Sequence, residues 1–260
     1  MAQLVARITR LSSASEFDRL CVVLVSTRNP LNIGAAARAM SNLGFSRLRV
    51  VSPYEASFRE ARSAVGAAPL LKNAEEYKTV GDAVAGCSLV IGTTAAHNRE
   101  LHQPLKLLQH AVPVIRKRLK SGRVALLFGS EKRGLSNSDL SHCHWLLHIP
   151  TRAEHLSMNL GQAVAVCLYE LARHGGKVKQ VESRTASDRG GSKAASAGEL
   201  ERLTSLLLDA LRTSGYLDRQ PSAVKEEKVR RMVRRLNLSV DEAEVWLGML
   251  RQIVWKLHQG

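Results

Sequence analysis

The chain has 260 residues, with 38 Lys and Arg against 23 Asp and Glu and a net charge of +15. A basic excess of this size favours a polyanion such as RNA as partner. No apolar run approaches the roughly eighteen residues of a membrane span, and an aromatic content of 4% argues against RNA capture by many exposed stacking rings.

Residues 1–18 carry Arg7, Arg10 and several serines but lack the apolar core of a secretory signal. They read as an N-terminal tail on a cytoplasmic protein. Short apolar runs follow at 21–25, 48–51, 89–91, 124–128 and 145–149, most of them continuous rather than alternating, as in parallel strands covered on both faces. Helical patterns lie between them at 33–43, 105–119 and 159–173, the first closed by Gly44. The alternation predicts an α/β domain over residues 19–174. From 175 to 198 the apolar pattern stops, and Gly, Ser and Ala mix with basic residues, which predicts a flexible basic linker. Helical patterns at 199–213, 224–236 and 240–258 predict a small all-helical domain over 199–260. Its middle helix has an apolar stripe of Val229, Met232, Val233 and Leu236. The remainder is basic and offers Lys228, Arg230, Arg231, Arg234 and Arg235, with Arg28 near the first strand, as candidate RNA contacts. Cys21, Cys87, Cys143 and Cys167 form no C-x-x-C pair and read as small buried thiols.

Ligands of open α/β sheets sit at the carboxyl ends of the strands. That rule selects residues 26–32, 92–95, 129–131 and 150–159. Small residues there allow close approach to the backbone, although Gly129 reads equally well as a plain turn glycine. Gly129 and Gly134 have P-loop spacing, but Leu135 stands where the phosphate-reaching Lys is needed, which disfavours ATP. No G-x-G-x-x-G follows the first strand, which disfavours NAD. His142, Cys143 and His144 are adjacent and cannot easily converge on one tetrahedral ion, so no metal is expected. Asn32 is placed to cap the first helix, and Ser157 and Asn159 to start the helix at 159. Arg38, alone among small residues, suits either a surface charge or a phosphate clamp.

Three segments carry a family resemblance. They are Asn32-Ile33-Gly34-Ala35-Ala36-Ala37-Arg38, Phe128 through Ser136, and Ile149-Pro150 with Leu156-Ser157-Met158-Asn159-Leu160. In this order they resemble the signature motifs of the SPOUT class of RNA methyltransferases, over about residues 22–173. Within that class the chain is similar to the TrmJ type of tRNA 2′-O-ribose methyltransferase. Leu206-Leu207-Leu208, Gly215-Tyr216-Leu217-Asp218, the basic helix and residues 242–257 resemble its C-terminal extension.

The resemblance implies a SPOUT fold with a C-terminal trefoil knot, a homodimer, and S-adenosylmethionine as cofactor. It implies methylation of cytidine or uridine at anticodon-loop position 32 of tRNA. Thr93, Thr94, Ala95, Gly129, Ile149, Leu156, Ser157 and Met158 would line the cofactor pocket. Arg38 matches the family's essential arginine, and Asn32, Glu131, Ser157 and Asn159 its recurring polar positions; Met158 stands where Leu is usual. A ribosomal RNA 2′-O-methyltransferase and a noncatalytic RNA-binding protein of the same fold are the alternatives.

Overall fold

The computed structural model describes residues 16–53, 64, 66–95, 101–152, 154, 157–173, 193–217 and 222–259. Most of the expected tail, most of the expected linker, and Leu156 lie outside these residues.

A 3-10 turn (Glu16–Arg19) leads into β1 (Leu20–Val25), α1 (Pro30–Asn42), β2 (Arg47–Val51), α2 (Ala68–Lys72), β3 (Glu75–Tyr77), α3 (Val80–Val84) and β4 (Leu89–Thr93). The chain continues through β5 (Leu105–Leu107), α4 (Leu108–Ser121), β6 (Val124–Phe128), α5 (Asn137–Ser141), β7 (Trp145–His148) and α6 (Leu160–Arg173). Three further helices follow, α7 (Ala197–Thr213), α8 (Ala223–Arg235) and α9 (Val240–Leu257). The seven strands form one sheet in the order β3-β2-β1-β6-β4-β7-β5. Every pairing is parallel, with Leu20 opposite Val124 and Ile91 opposite Trp145.

The continuous apolar runs are explained by burial on both faces. In β1, Leu20, Val22 and Leu24 face one core, formed with α1, α4 and α6. Cys21, Val23 and Val25 face the other, beneath α3 and α5. The two edge strands have three residues each and only partly buried side chains, so neither leaves a periodic signal. Residues 105–107, expected to open a helix, therefore pair with β7 instead, and the helix begins at Leu108.

The helix pair α1 and α6 packs very closely. A Cβ added to Gly161 would lie 2.7 Å from Cβ of Ala35. The small residues of the first motif thus face α6, with Ala36 and Ala37 fully buried. Gly44 ends α1 with φ +80°, the left-handed conformation that favours glycine.

The three C-terminal helices share their own core of Leu200, Leu203, Val233, Leu247 and Leu250. They are also docked on the sheet domain. Ala197 N–H donates to Cys87 O at 2.8 Å and Gly198 N–H to Ala85 O at 2.9 Å. Residues 193–198, expected in the flexible linker, are hydrogen-bonded here, and Ser196 begins α7 with a capping box to Glu199.

The basic face of α8 is the main departure from expectation. Arg234 is 1% exposed and donates to Ala197 O and Glu201, at 2.9 and 3.1 Å. Arg230 donates to Glu201 at 2.9 Å and to Ser141 Oγ at 3.3 Å. Arg235 bonds His102 O, and Arg231 pairs with Glu227 at 3.6 Å. Arg230 and Arg234 therefore anchor α8 and are not an exposed phosphate-binding face. The helix sequence alone does not reveal this use, because the acceptors lie about thirty residues upstream in α7 or in the sheet domain. Lys228, by contrast, is exposed.

Candidate active site

The site is built from turns at the carboxyl ends of β4, β6 and β7. Thr93 Oγ1 donates to Leu127 O at 2.8 Å, and Thr94 N–H to Leu147 O at 3.0 Å, so the turn after β4 is tied to both neighbouring strands. His148 Nδ1 lies 3.2 Å from Thr94 O and ties β7 back to the same turn. After β6 the chain folds over itself. Gly134 N–H donates to Ser130 O at 2.8 Å, and Gly134 has φ +66°.

The turns enclose a cavity of about 510 Å³ lined by Thr93, Thr94, Ala95, Gly129, Glu131, Ile149, Ser157 and Met158, among others. The expected pocket residues among those described are thus brought together. Lys132, Arg133 and Thr151 also line it. Thr151 falls within the selected segment 150–159, whereas Lys132 and Arg133 lie just past 129–131, inside the turn between Gly129 and Gly134. Gly129 lines the cavity, but its lack of a side chain has a local cause. A Cβ there would stand 2.0 Å from the carbonyl carbon of Gly134 and 2.2 Å from Leu135 N, so the turn itself demands glycine.

A chain of amides joins the three motif segments. Gly161 N–H donates to Asn159 Oδ1 at 2.9 Å. Asn159 Nδ2 then donates to Asn32 Oδ1 at 3.1 Å, and Asn32 Nδ2 to Glu131 Oε1 at 2.7 Å. The direction is fixed at both ends, since a backbone N–H only donates and a carboxylate only accepts. Asn32 is therefore not the helix cap. Asn29 takes that role, accepting from Leu31 N–H at 3.0 Å, with Pro30 opening the helix.

Arg38 lies on α1 about 9 Å along the axis from Asn32. It is exposed, on the same side of the helix as Leu31, which is 55% exposed. Within one chain it does not join the amide network. Arg28 is exposed on the loop before α1.

His142 and His144 serve the fold. His144 Nδ1 accepts from Val90 N–H at 3.1 Å. Burial, reinforced by Arg234 and Arg118, pushes its pKa down to about 3. Burial and then Arg230 push His142 down to about 4.

The family model described as the SpoU rRNA methylase family matches residues 19–169. The chain belongs to the SpoU methylase family. A "tRNA (cytidine/uridine/adenosine-2′-O-)-methyltransferase TrmJ" of Pseudomonas aeruginosa is 36% identical over 242 residues, covering 90% of this chain and 93% of that protein. A "tRNA (cytidine/uridine-2′-O-)-methyltransferase TrmJ" of Sodalis glossinidius is 34% identical over 236 residues, with 89% and 90% covered. Among solved structures, TrmJ from Zymomonas mobilis superposes with a TM-score of 0.76 at 28% identity, covering 90% of this chain and 98% of that one. These matches extend beyond the SpoU region, which ends at 169, into the helical extension.

Proposed function

We propose that this SpoU methylase transfers a methyl group from S-adenosylmethionine to the ribose 2′-oxygen of cytidine or uridine at position 32 of the tRNA anticodon loop. The amide chain from Asn159 through Asn32 to Glu131 carries this reading. It gathers three distant motif segments into one polar arrangement beside a cavity at the strand ends. A cavity of about 510 Å³ with apolar walls of Leu147, Ile149, Met158 and Leu160 and a few polar groups suits a nucleoside-sized ligand. Thr93, Thr94, Ala95, Gly129, Ile149, Ser157 and Met158 would hold S-adenosylmethionine, which supplies an electrophilic methyl group when bound. Leu156 is assigned to the same pocket from its motif position.

The protein's own contribution is positioning. Asn32, fixed by Asn159, leaves Glu131 one oxygen with which to orient a polar group of the substrate. Ser157 offers a further hydroxyl at the pocket wall. A guanidinium matches phosphate oxygens in a two-point fork, so Arg38 acts as a clamp on the substrate phosphate. The substrate hydroxyl would be held in line by these contacts, its oxygen forming the new bond to the methyl carbon as the sulfonium–methyl bond breaks and its proton passing to water, and such positioning supplies much of the rate enhancement. Arg38 and Leu31 are exposed on α1, and Tyr169 is 54% exposed on the neighbouring α6. That surface supports a homodimer in which Arg38 works near the partner's face.

The insertion of β7 between β4 and β5 supports the trefoil knot, because the connection from β4 to β5 precedes β7 in the chain. No helix among the described residues is long and apolar enough to cross a membrane, and cytoplasmic tRNA is the substrate pool proposed. The family description names ribosomal RNA, but the relatives matching through the helical extension are named for tRNA, which favours tRNA. The test is transfer of labelled methyl groups to unmodified tRNA and to ribosomal RNA, with the modified nucleotide mapped. Arg38→Ala should abolish transfer and leave S-adenosylmethionine affinity within a few-fold. Transfer at near wild-type rate would remove Arg38 from the mechanism. Methylation of ribosomal RNA alone would overturn the tRNA assignment.

A further inference from the structure

Arg230 and Arg234, the most deeply placed of the expected RNA-binding arginines, are engaged internally, which leaves room for further RNA contacts on other basic surfaces of the chain. The amino-terminal edge of the sheet, opposite the cavity, carries a band of positive charge. Arg19, Arg47 and Arg123 stand at the starts of β1, β2 and β6, three adjacent strands about 4.8 Å apart; Arg47 is half-buried and donates through Nε to Asp18 O, while Arg19 and Arg123 are exposed. Arg19 reaches over the last turn of α4 and donates to Leu119 O at 3.2 Å and also to Lys120 O, which brings Lys120 to the same edge.

The band continues onto the helical unit. A Cβ on Gly86 would lie 3.5 Å from a terminal nitrogen of Arg123, so that guanidinium lies over the turn before β4. The first turn of α7 docks on this turn through Ala85 O and Cys87 O. Lys193 and Arg202 stand close enough to Glu199, in that first turn, to hold its carboxyl below the usual range, behind the hydrogen bonds from Ser196. The nearby acidic groups are engaged, Glu16 with Arg116 and Glu75 with Arg49. Asp18 accepts from Ser46 Oγ at 3.1 Å, and Glu199 is committed to the capping box. The positive field is felt inside the edge. Cys21 is held below the usual thiol value, first by its hydrogen bond with Cys87 and then by Arg49, Arg47 and Arg123, against its burial.

We infer that this amino-edge band, from Arg47 through Lys120 and Arg123 to α7, is a second RNA contact that binds the phosphodiester backbone of a substrate long enough to reach it. It rests on the RNA-methylation reading and extends it. The band lies a strand length, about 17 Å, from the edge that carries the cavity. A short stem–loop seated at the cavity would not touch it. An extended RNA, bound by one chain or laid across two copies, would.

The test uses the full chain with Lys120→Glu and Arg123→Glu combined, two exposed side chains outside the cavity. Filter binding is measured across a salt series with unmodified full-length tRNA and with the isolated anticodon stem–loop. The charge-reversed protein should bind tRNA at least tenfold more weakly at low salt, with a log–log salt slope reduced by roughly one to two, since each lost phosphate contact removes about 0.7–0.9. Stem–loop binding and S-adenosylmethionine titration should be unchanged. The Gln variants at both positions should fall between, and thermal melting shows that each variant folds. Unchanged tRNA affinity and slope, or an equal loss for tRNA and stem–loop, would overturn the proposal. If wild-type protein methylates neither RNA, the underlying functional reading fails instead, which is a separate outcome.

Discussion

Replacing Glu201 by Ala strips a buried guanidinium of its counter-charge. Arg234 is 1% exposed in its side chain, whereas Glu201 is 30% exposed. Removing one partner of a buried pair costs about 3–5 kcal/mol, because the remaining charge stays desolvated. Partial access of water to Glu201 and the surviving bond from Arg234 to Ala197 O place this case at the low end, about 3 kcal/mol. Arg230 adds less, since water can reach it once the carboxylate is gone. Urea unfolding should show the loss as a lower midpoint. Amide exchange should show it concentrated in α7 and α8. Adding Arg234→Met to Glu201→Ala removes the orphaned charge and should recover most of the stability, a coupling read from the double-mutant cycle. A loss below about 1 kcal/mol, or no recovery in the double variant, would refute the view that Glu201 neutralises a buried arginine.

Asn159→Ala should leave Asn32 held only through Glu131 and lower kcat by roughly a hundredfold with little change in cofactor affinity, which single-turnover kinetics and calorimetry can separate. Gly129→Ala should be as damaging as any larger residue, because the first carbon already meets Gly134 backbone at 2.0 Å; a variant with normal melting and normal cofactor binding would contradict that geometry. Folding depresses the His142 and His144 pKa values to about 4 and about 3, from 6.5, so the unfolded chain binds their protons first. Stability is therefore fully present above pH 6.5 and lost as pH falls toward 4, by up to roughly 3 kcal/mol for His142; His142→Gln should flatten the acid limb of a pH–stability curve.

The central strands and long helices were legible because burial on both faces leaves continuous apolar runs and one-sided burial leaves stripes. Strands β3 and β5 were not, since three residues at a sheet edge have no period to read. The cavity positions followed from strand ends and motif spacing. The part played by Asn32 did not, because its partners Glu131 and Asn159 lie about a hundred residues or more away and only the fold brings them within hydrogen-bond reach. The basic helix misled for the same reason. Composition reports charge but not the acceptors that the tertiary structure places against it.

The sheet order also sets a schedule for synthesis. Strand β1 finds one neighbour, β2, within about thirty residues, but its other edge waits for β6, where Leu20 meets Val124. At about 5–20 residues per second, that edge leaves the ribosome many seconds before its partner exists. During that interval one edge of β1, an apolar strand whose six residues are buried in the finished fold, stays unpaired, the kind of segment that chaperones hold and that aggregates when they do not. Expression at lower temperature or with added holdase should therefore raise the soluble yield of the protein far more than it changes the stability of the finished fold.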